Sequence, residues 1–218
     1  MVNEGLLHFV EFELQILALS LFAILYALRI RSLLKLTLPK EIAPPKGSAS
    51  AGVAISFAGL FYPWSMESTT KHIGRWVEFS FYHIAALSAI LATFTLPFAP
   101  GLMTHTIRLV FAAALIPGIG AGFIKIIRRF TDPHLRHIST PDDHFSLVAV
   151  QVYFIAAAAC LYFYTDLWRF VFFLITALFL VYVPFSKISH YLYWFFARTF
   201  LGIRFGRRGI IPRKEVST

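Results

Sequence analysis

Five stretches of this sequence are long and apolar enough to cross a lipid bilayer as helices. A membrane-spanning helix needs about 20 mostly apolar residues. The five stretches are Leu6–Leu28, Trp76–Phe98, Thr104–Ile127, Phe145–Tyr164 and Leu167–Tyr193. The sequence therefore predicts an all-α fold: an integral membrane bundle of five transmembrane helices, forming a single membrane domain over residues 1–218.

Composition supports the same class and excludes others. Hydrophobic residues make up 58% of the 218 residues and charged residues only 14%, whereas an ordinary soluble domain is about 25% charged. A soluble enzyme, a nucleic-acid-binding domain and a disordered tail are excluded, so we expect contact with the lipid bilayer and none with nucleic acid. The one cysteine, Cys160, excludes an internal disulfide and any Cys-ligated iron–sulfur cluster or structural zinc site.

The positions of the cations predict an orientation. Of the 20 Lys and Arg, 18 lie in three stretches: between the first and second spans, from the end of the third span to the fourth, and from the end of the fifth span onward. The exceptions are Arg108 and Arg169. The positive-inside rule then places the N-terminus outside and the C-terminus in the cytoplasm, for a multi-pass protein of the cell inner (cytoplasmic) membrane. The first Lys or Arg is Arg29, after the first apolar stretch, which does not fit a cleavable signal peptide.

Four local patterns refine the spans. Residues 52–66 are apolar, too short to span and interrupted by a proline, which predicts a cytoplasmic interfacial segment over about 47–75. A basic cytoplasmic tail is predicted over about 198–218. Thr140-Pro141-Asp142-Asp143 carries the start signals of a helix, so its carboxylates are better explained by capping than by acid–base chemistry. Pro117, Gly118, Gly120 and Gly122 predict a kink and close helix contacts in the third span.

Two of the eight histidines are predicted to lie within the cytoplasmic half of the membrane. His83 lies about two turns inside the second span, and His190 lies near the end of the fifth. Two imidazoles on facing helices at one depth suit axial ligation of haem iron. Small residues near His83 (Ala85, Ala86, Ser88 and Ala89) would leave room for a macrocycle, and nearby cations would meet its propionates: Lys187, Arg75, Arg128 and Arg129. Position alone equally allows two buried histidines that hydrogen-bond to their neighbours.

Several motifs resemble the respiratory nitrate reductase gamma-subunit family of membrane cytochromes b. Residues 184–190 (PFSKISH) resemble its Pro-Phe-Ser-Arg/Lys-x-x-His signature, and residues 81–84 (FYHI) resemble its second-helix motif. Residues 129–147 resemble the loop into its fourth helix. Residues 63–72 (PWSMESTTKH) are similar to the versions that are paired with heterodisulfide-reductase-like iron–sulfur subunits.

This resemblance implies a specific function. It implies a b-type cytochrome subunit of a quinone-linked oxidoreductase complex, an electron-transfer subunit rather than a complete enzyme alone. Haem b, held by His83 and His190, would relay electrons between membrane quinone and a cytoplasmic iron–sulfur partner of the heterodisulfide-reductase or nitrate-reductase type. The usual form binds two haems through four histidines, but the second pair falls here on Thr93 and Phe172, which cannot ligate iron. We therefore predict one haem, with two possible.

Other polar residues are secondary candidates. His72 and Glu78 lie near the cytoplasmic interface and are candidates for quinone binding and proton handling, because quinol chemistry moves protons as well as electrons. His8 and His105 lie near the outer ends of their helices and are candidates for an outer haem. For these histidines the alternative is an ordinary interfacial position.

Two other function classes remain open at this point. One is a haem-free membrane anchor that tethers a redox subunit. The other is a proton-linked transporter, which is disfavoured because no repeated halves are visible.

Overall fold

The computed structural model describes residues 2–37, 42–59, 61–62, 64 and 70–211, and within these the regular elements are all helices. Short 3₁₀ turns occupy Pro100–Leu102, Val183–Phe185 and Lys187–Ser189. The α-helices, in chain order, are α1 (Glu4–Glu11), α2 (Glu13–Leu34), α3 (Ala49–Ala58), α4 (Ile73–Phe98), α5 (His105–Thr131), α6 (Pro133–Ile138), α7 (Pro141–Phe163), α8 (Asp166–Tyr182) and α9 (His190–Arg207).

Among the described residues, five helical segments have the length and hydropathy of membrane spans. They are Glu4–Leu34, Ile73–Phe98, His105–Thr131, Pro141–Phe163 and Asp166–Phe185. The predicted all-α fold with five spans is confirmed, and the chain is a multi-pass membrane protein. Large apolar side chains on these spans are widely exposed, as contact with lipid tails requires; Leu17 and Ile116 are each 67% exposed. The predicted orientation and the choice of membrane stay predictions.

The predicted end of the fifth helix is wrong. Helix α8 ends at Tyr182 rather than continuing to Tyr193, and two 3₁₀ turns follow it. Pro184 has no N–H to donate and clashes with the carbonyl four residues earlier, so the α-helical ladder stops. The Ser186 hydroxyl donates to the Val183 carbonyl at 3.0 Å and stabilises the turn. His190 is therefore the first residue of α9, and not a residue near the end of the fifth span.

The predicted start of the fourth helix is confirmed. The Asp143 carboxylate accepts hydrogen bonds from the Thr140 N–H and hydroxyl, both at 2.8 Å. Pro141 occupies the first position of α7, where a missing N–H costs nothing. Asp143 thus caps the helix, as its spacing from Thr140 predicts.

By its internal contacts the chain divides into two compact units. The bundle unit comprises Met1–Arg31 and Val77–Ile188, and the helix-pair unit comprises Ser32–Trp76 and Ser189–Thr218. All five spans have most or all of their residues in the bundle unit; the first and second each have a few residues in the helix-pair unit. The single domain over residues 1–218 stays a prediction.

The core of the bundle unit is built from small and aromatic side chains. Helix α5 packs on α7, α7 packs on α8, and α1 packs on α8. Ala85, Ala89, Leu115, Phe172 and Phe173 are almost completely buried. A Cβ at Gly118 would collide with the Ala85 side chain, and a Cβ at Gly122 with Gln151. The predicted close helix contacts in the third span are therefore confirmed, and α5 passes Pro117 as one helix.

The helix-pair unit is held together by glycines. Helices α3 and α9 run antiparallel, because Gly52 meets Gly202 and Gly206 while Phe57 meets Trp194, with ring centroids 5.4 Å apart. A Cβ at Gly206 would lie 2.9 Å from the Gly52 Cα, so no larger residue fits there without a shift of the backbone. The N–H groups of Lys46 and Gly47 donate to the Arg207 carbonyl at 2.7 and 3.1 Å and satisfy the end of α9.

Two predicted segments belong to this unit. The interfacial segment over about 47–75 contains α3, which has 10 residues and is too short to span. Residues 60, 63 and 65–69 of that segment lie outside the described residues, as do residues 212–218 of the predicted tail. The described part of the tail is helical as far as Arg207.

Candidate functional site

His83 is held on α4 by a hydrogen bond to its own helix. Its Nδ1 lies 2.8 Å from the Phe79 carbonyl oxygen. A carbonyl can only accept, so Nδ1 carries the hydrogen and the neutral ring has its lone pair on Nε2. The ring also packs on Phe79, with centroids 3.9 Å apart, and the residue is exposed. This is the arrangement by which a backbone carbonyl fixes the tautomer of a metal-ligating histidine.

Tyr82, which precedes His83 on α4, carries a lysine over its ring. The Lys125 ammonium lies 3.8 Å from the centroid of the Tyr82 ring. The Tyr82 ring is itself 6.2 Å from the His83 ring and 5.2 Å from the Phe154 ring, centroid to centroid. Lys125 of α5 thus lies over the ring of the residue that precedes His83 on α4, a contact that sequence reasoning did not predict. Lys125 lies within an apolar span, a position that is itself a signal of function.

The small residues near His83 have a different role from the one predicted. Ala85 and Ala89 are buried, and Ala85 lies against Gly118 of α5. At 100° per residue, positions 85 and 89 lie far around α4 from position 83. Their small size therefore brings α4 close to α5 instead of leaving space beside the imidazole, so the expectation of a cleared space is wrong for these two residues.

Glu78 forms a bidentate ion pair with Arg128. The two carboxylate oxygens accept from Nη1 and Nη2 at 2.9 and 3.1 Å. The Glu78 side chain is only 11% exposed. The sequence predicts a role for each residue: proton handling for Glu78 and contact with a haem propionate for Arg128. In the structure the two residues bind each other. The sequence signal for this ion pair is the presence of opposite charges at the ends of two neighbouring predicted spans.

Lys187 and Arg129 contact one carboxylate. Arg129 Nη1 lies 3.3 Å from Asp143 Oδ1, and the Lys187 ammonium contacts Asp143 Oδ2. The backbone N–H of Lys187 donates to Asp142 Oδ2 at 2.9 Å, while the Tyr182 hydroxyl donates to Asp142 Oδ1 at 2.6 Å. These contacts fix the turn after α8 onto the start of α7. The two carboxylates thus have structural roles beyond the cap, which the spacing did not predict.

The predicted site residues are divided between the two units. His83, Glu78 and Lys187 belong to the bundle unit, and His190, Arg75 and His72 belong to the helix-pair unit. His190 begins α9, Arg75 is an exposed residue in the first turn of α4, and the His72 carbonyl accepts from the Arg75 N–H at 2.9 Å. The pairing of His83 with His190, and that of Glu78 with His72, stay predictions.

The positions of the second histidine pair are occupied by packed side chains. The Thr93 hydroxyl and the Tyr153 hydroxyl are 2.9 Å apart, and the Tyr153 ring stacks on Phe172 with centroids 5.8 Å apart. All three residues are buried. Tyr153 therefore fills the space between the two positions, and a second haem does not fit at this place.

The candidates for an outer haem are both at the surface. His8 Nδ1 lies 3.2 Å from Glu13 Oε1, and its ring stacks on Phe12 with centroids 4.7 Å apart. His105 is the first residue of α5 and is exposed. Ligation by His8 and His105 stays a prediction.

The opposite end of the bundle unit from Asp143 holds a second polar cluster. Glu11 Oε2 accepts from Arg169 Nη2 at 2.7 Å, and the Glu11 side chain is 5% exposed. The Arg108 guanidinium lies 3.7 Å from the centroid of the Tyr164 ring. Gln15 donates to the carbonyls of Val10 and Phe173 at 3.0 and 2.7 Å. This cluster, which the sequence analysis did not single out, ties α1 and α2 to α8.

Within the described ranges, no group of three or more His, Cys, Asp or Glu side chains converges as a metal ion would need. Axial ligation of haem requires only two histidines, so this finding leaves that prediction untouched. No known protein family, no curated protein and no solved structure matches this chain, and the family resemblance therefore stays a prediction.

Proposed function

We propose that this protein is the membrane cytochrome b subunit of a quinone-linked oxidoreductase complex. In this proposal His83 and His190 hold one haem b, and electrons pass between membrane quinone and a cytoplasmic iron–sulfur partner. The observation that carries the proposal is the ring of His83. Its Nδ1–H is engaged by the Phe79 carbonyl, so the lone pair is on Nε2, the nitrogen suited to ligate iron.

The surroundings of His83 suit a cofactor that carries one electron. Bound haem supplies the one-electron chemistry, and its potential depends on ligands, burial and nearby charge. The Lys125 ammonium lies over the ring of Tyr82, the residue that precedes His83. Arg128 and Lys187 each contact a carboxylate, which leaves less of their charge for a propionate than the sequence predicts.

Glu78 is the proposed proton-handling group at the quinone, together with His72. Its carboxylate is engaged by both terminal nitrogens of Arg128. Uptake of a proton by Glu78 would weaken this ion pair, because a neutral carboxylic acid binds a guanidinium less strongly than a carboxylate does. We therefore expect proton uptake at Glu78 to be accompanied by movement of Arg128.

We further propose one haem per chain. The support is the Tyr153 ring, which occupies the space between Thr93 and Phe172. With a haem at the predicted cytoplasmic side only, a quinone site near the same side is the simpler arrangement.

The test is a reduced-minus-oxidised spectrum of the purified full chain with a pyridine haemochrome count. We expect one haem b per wild-type chain and loss of the b-type spectrum in His83→Ala and in His190→Ala. His137→Ala is the matched control, because His137 is an exposed histidine of α6. Full haem content in both ligand variants would overturn the ligand assignment. A colourless wild type from cells supplied with haem would leave only a membrane anchor.

A further inference from the structure

The first span is interrupted at Phe12, where α1 ends and α2 begins. Helical hydrogen bonds adjoin the break on both sides: the Phe12 N–H donates to the His8 carbonyl at 3.0 Å, and the Ile16 N–H donates to the Phe12 carbonyl at 2.9 Å. A break within a span needs other partners for the freed backbone groups, because lipid tails offer none. The Val10 carbonyl has such a partner, since Gln15 Nε2 donates to it at 3.0 Å.

Two polar side chains at this break meet two successive turns of α8. Glu11 Oε2 accepts from Arg169 Nη2 at 2.7 Å, and Gln15 Nε2 donates to the Phe173 carbonyl at 2.7 Å. Glu11 and Gln15 are four residues apart, as are Arg169 and Phe173, and residues four apart are neighbours on a helix surface. The side chains of Glu11 and Gln15 therefore lie next to each other in one interface of the bundle unit.

Each of these two side chains has one oxygen without a donor. Glu11 Oε1 and Gln15 Oε1 are buried, and neither accepts a hydrogen bond from the part of the chain that the structure describes. The Glu11 side chain is 5% exposed and Gln15 is 1% exposed. The Gln15 amide directs Nε2 at two carbonyl oxygens, where an amide oxygen would be repelled, so its own oxygen must point elsewhere. Two buried acceptors thus share one interface, and a buried acceptor without a donor is costly.

The complementary ligand is a small molecule that donates two hydrogen bonds. A carbonyl or carboxylate group is excluded, because both protein atoms are themselves acceptors. A metal cation is disfavoured, because Arg169 already places a positive charge against the Glu11 carboxylate. Water donates twice, and a buried water molecule typically binds two to four polar groups that otherwise lack partners. Ordered water also satisfies polar groups where a membrane helix is interrupted.

We propose that Glu11 Oε1 and Gln15 Oε1 bind an internal water molecule at the break in the first span. The water donates one hydrogen bond to each oxygen and so strengthens the contact of the first span with α8. In this arrangement the Glu11 carboxylate is ionised and paired with Arg169. The proposal does not depend on haem, so its failure would leave the proposed function intact.

The chain contains a matched control for this site, because its two glutamines are Gln15 and Gln151. Both are buried, both donate Nε2 to a backbone carbonyl, and both have an Oε1 that lacks a donor among the described residues. The Gln151 oxygen, however, lies against α5, where a Cβ added to Gly122 would come within 2.7 Å of it. The backbone of α5 therefore packs on the Gln151 amide, and we expect no water there.

The test measures magnetisation transfer from water to the two glutamine side-chain amides. The full chain is labelled with ¹⁵N at these amides and studied in detergent micelles, and rotating-frame Overhauser spectra separate direct contact from hydrogen exchange by the sign of the cross-peak. We expect a direct cross-peak between water and the Gln15 amide, and none for Gln151. Absence of the Gln15 cross-peak, or equal cross-peaks at both glutamines, would overturn the proposal without relying on a variant.

Glu11→Gln tests whether the carboxylate holds the water. The new amide oxygen can accept from Arg169 while its NH₂ group donates to Gln15 Oε1, so we expect the water to be displaced and the Gln15 cross-peak to be lost. Glu13→Gln is the control, because the Glu13 side chain is 52% exposed, and it should keep the cross-peak. A cross-peak of full intensity in Glu11→Gln would overturn the two-oxygen site.

The charge of Glu11 is a separate check on the nature of the ligand. The ¹³C shift of its carboxyl carbon, assigned by the loss of the signal in Glu11→Gln, should be that of a carboxylate. A protonated carboxyl would itself donate to Gln15 Oε1, and this result would overturn the assignment to water.

Discussion

The two units of this chain differ in the balance of their positive and negative charges. The bundle unit has nine Lys and Arg and eight Asp and Glu. Three of its carboxylates have little exposed surface and each contacts a Lys or Arg: Glu11, Glu78 and Asp143. The described part of the helix-pair unit has eight cations and no carboxylate. A charge within a low-dielectric bundle needs a partner in the protein, because burial of an unpaired charge is costly.

The units also differ in how their helices pack. In the bundle unit, aromatic and small side chains fill the core, with Gly118 and Gly122 of α5 as points of close approach. In the helix-pair unit the backbones of α3 and α9 touch directly at Gly52, Gly202 and Gly206. The packing of the bundle unit therefore depends on many side chains, whereas the packing of the helix-pair unit depends on a few glycines, which have no side chain.

The largest expected effect is the loss of a buried ion-pair partner from the bundle unit. Glu11→Ala leaves the Arg169 guanidinium without its closest carboxylate and should lower the free energy of unfolding by about 3 kcal/mol. Glu13→Ala is the control, because the Glu13 side chain is 52% exposed. In the ion pairs described, its contact is the exposed His8. Its removal should cost less than about 1 kcal/mol. Unfolding by SDS in mixed micelles measures both values, and equal losses would contradict the importance of pairing in the bundle.

A smaller effect is expected when a methyl group is added to a glycine contact. Gly206→Ala places its Cβ against the backbone of α3, and Gly118→Ala places it against Ala85. Each should destabilise its own unit by about 1–3 kcal/mol. Gly120→Ala, which has no neighbour within 4 Å of the added Cβ, should be neutral or stabilising.

Hydrogen exchange separates the two glycine variants. Gly206→Ala should speed exchange in α3 and α9 while α5 and α7 stay protected, and Gly118→Ala should do the reverse. Faster exchange throughout the chain in either variant would show that the units are not independent in stability.

The smallest effect is expected from a single hydroxyl in the bundle core. Tyr153→Phe removes the hydrogen bond with Thr93 and should cost about 1 kcal/mol, the usual net value of such a bond. Combining it with Thr93→Val should recover part of the loss, because no buried hydroxyl is then left without its partner. Additive losses in this double-mutant cycle would show that the two hydroxyls do not interact.

The fold was more predictable from the sequence than the candidate site. Three of the five predicted spans match observed helices to within four residues at each end, and the cap of α7 was predicted from Thr140 and Asp143. The first span is divided into α1 and α2 and ends six residues later than predicted. The fifth helix was predicted too long because the hydropathy of residues 183–193 outweighed the stop signal of Pro184. His83 was found as a polar residue within a span, but its tautomer follows from a carbonyl that only the folded helix presents.

Membrane class, helix content and number of spans were determined by the sequence alone, because apolar length and hydropathy depend only on which residues follow one another. Only the tertiary structure decided which charges meet. Glu78 and Arg128 are 50 positions apart, and Glu11 and Arg169 are 158 apart. It also decided that Ala85 serves helix packing and that Tyr153 fills the space between Thr93 and Phe172. The physical reason is that pairing and packing depend on which helix faces come together, and this is a property of the whole fold.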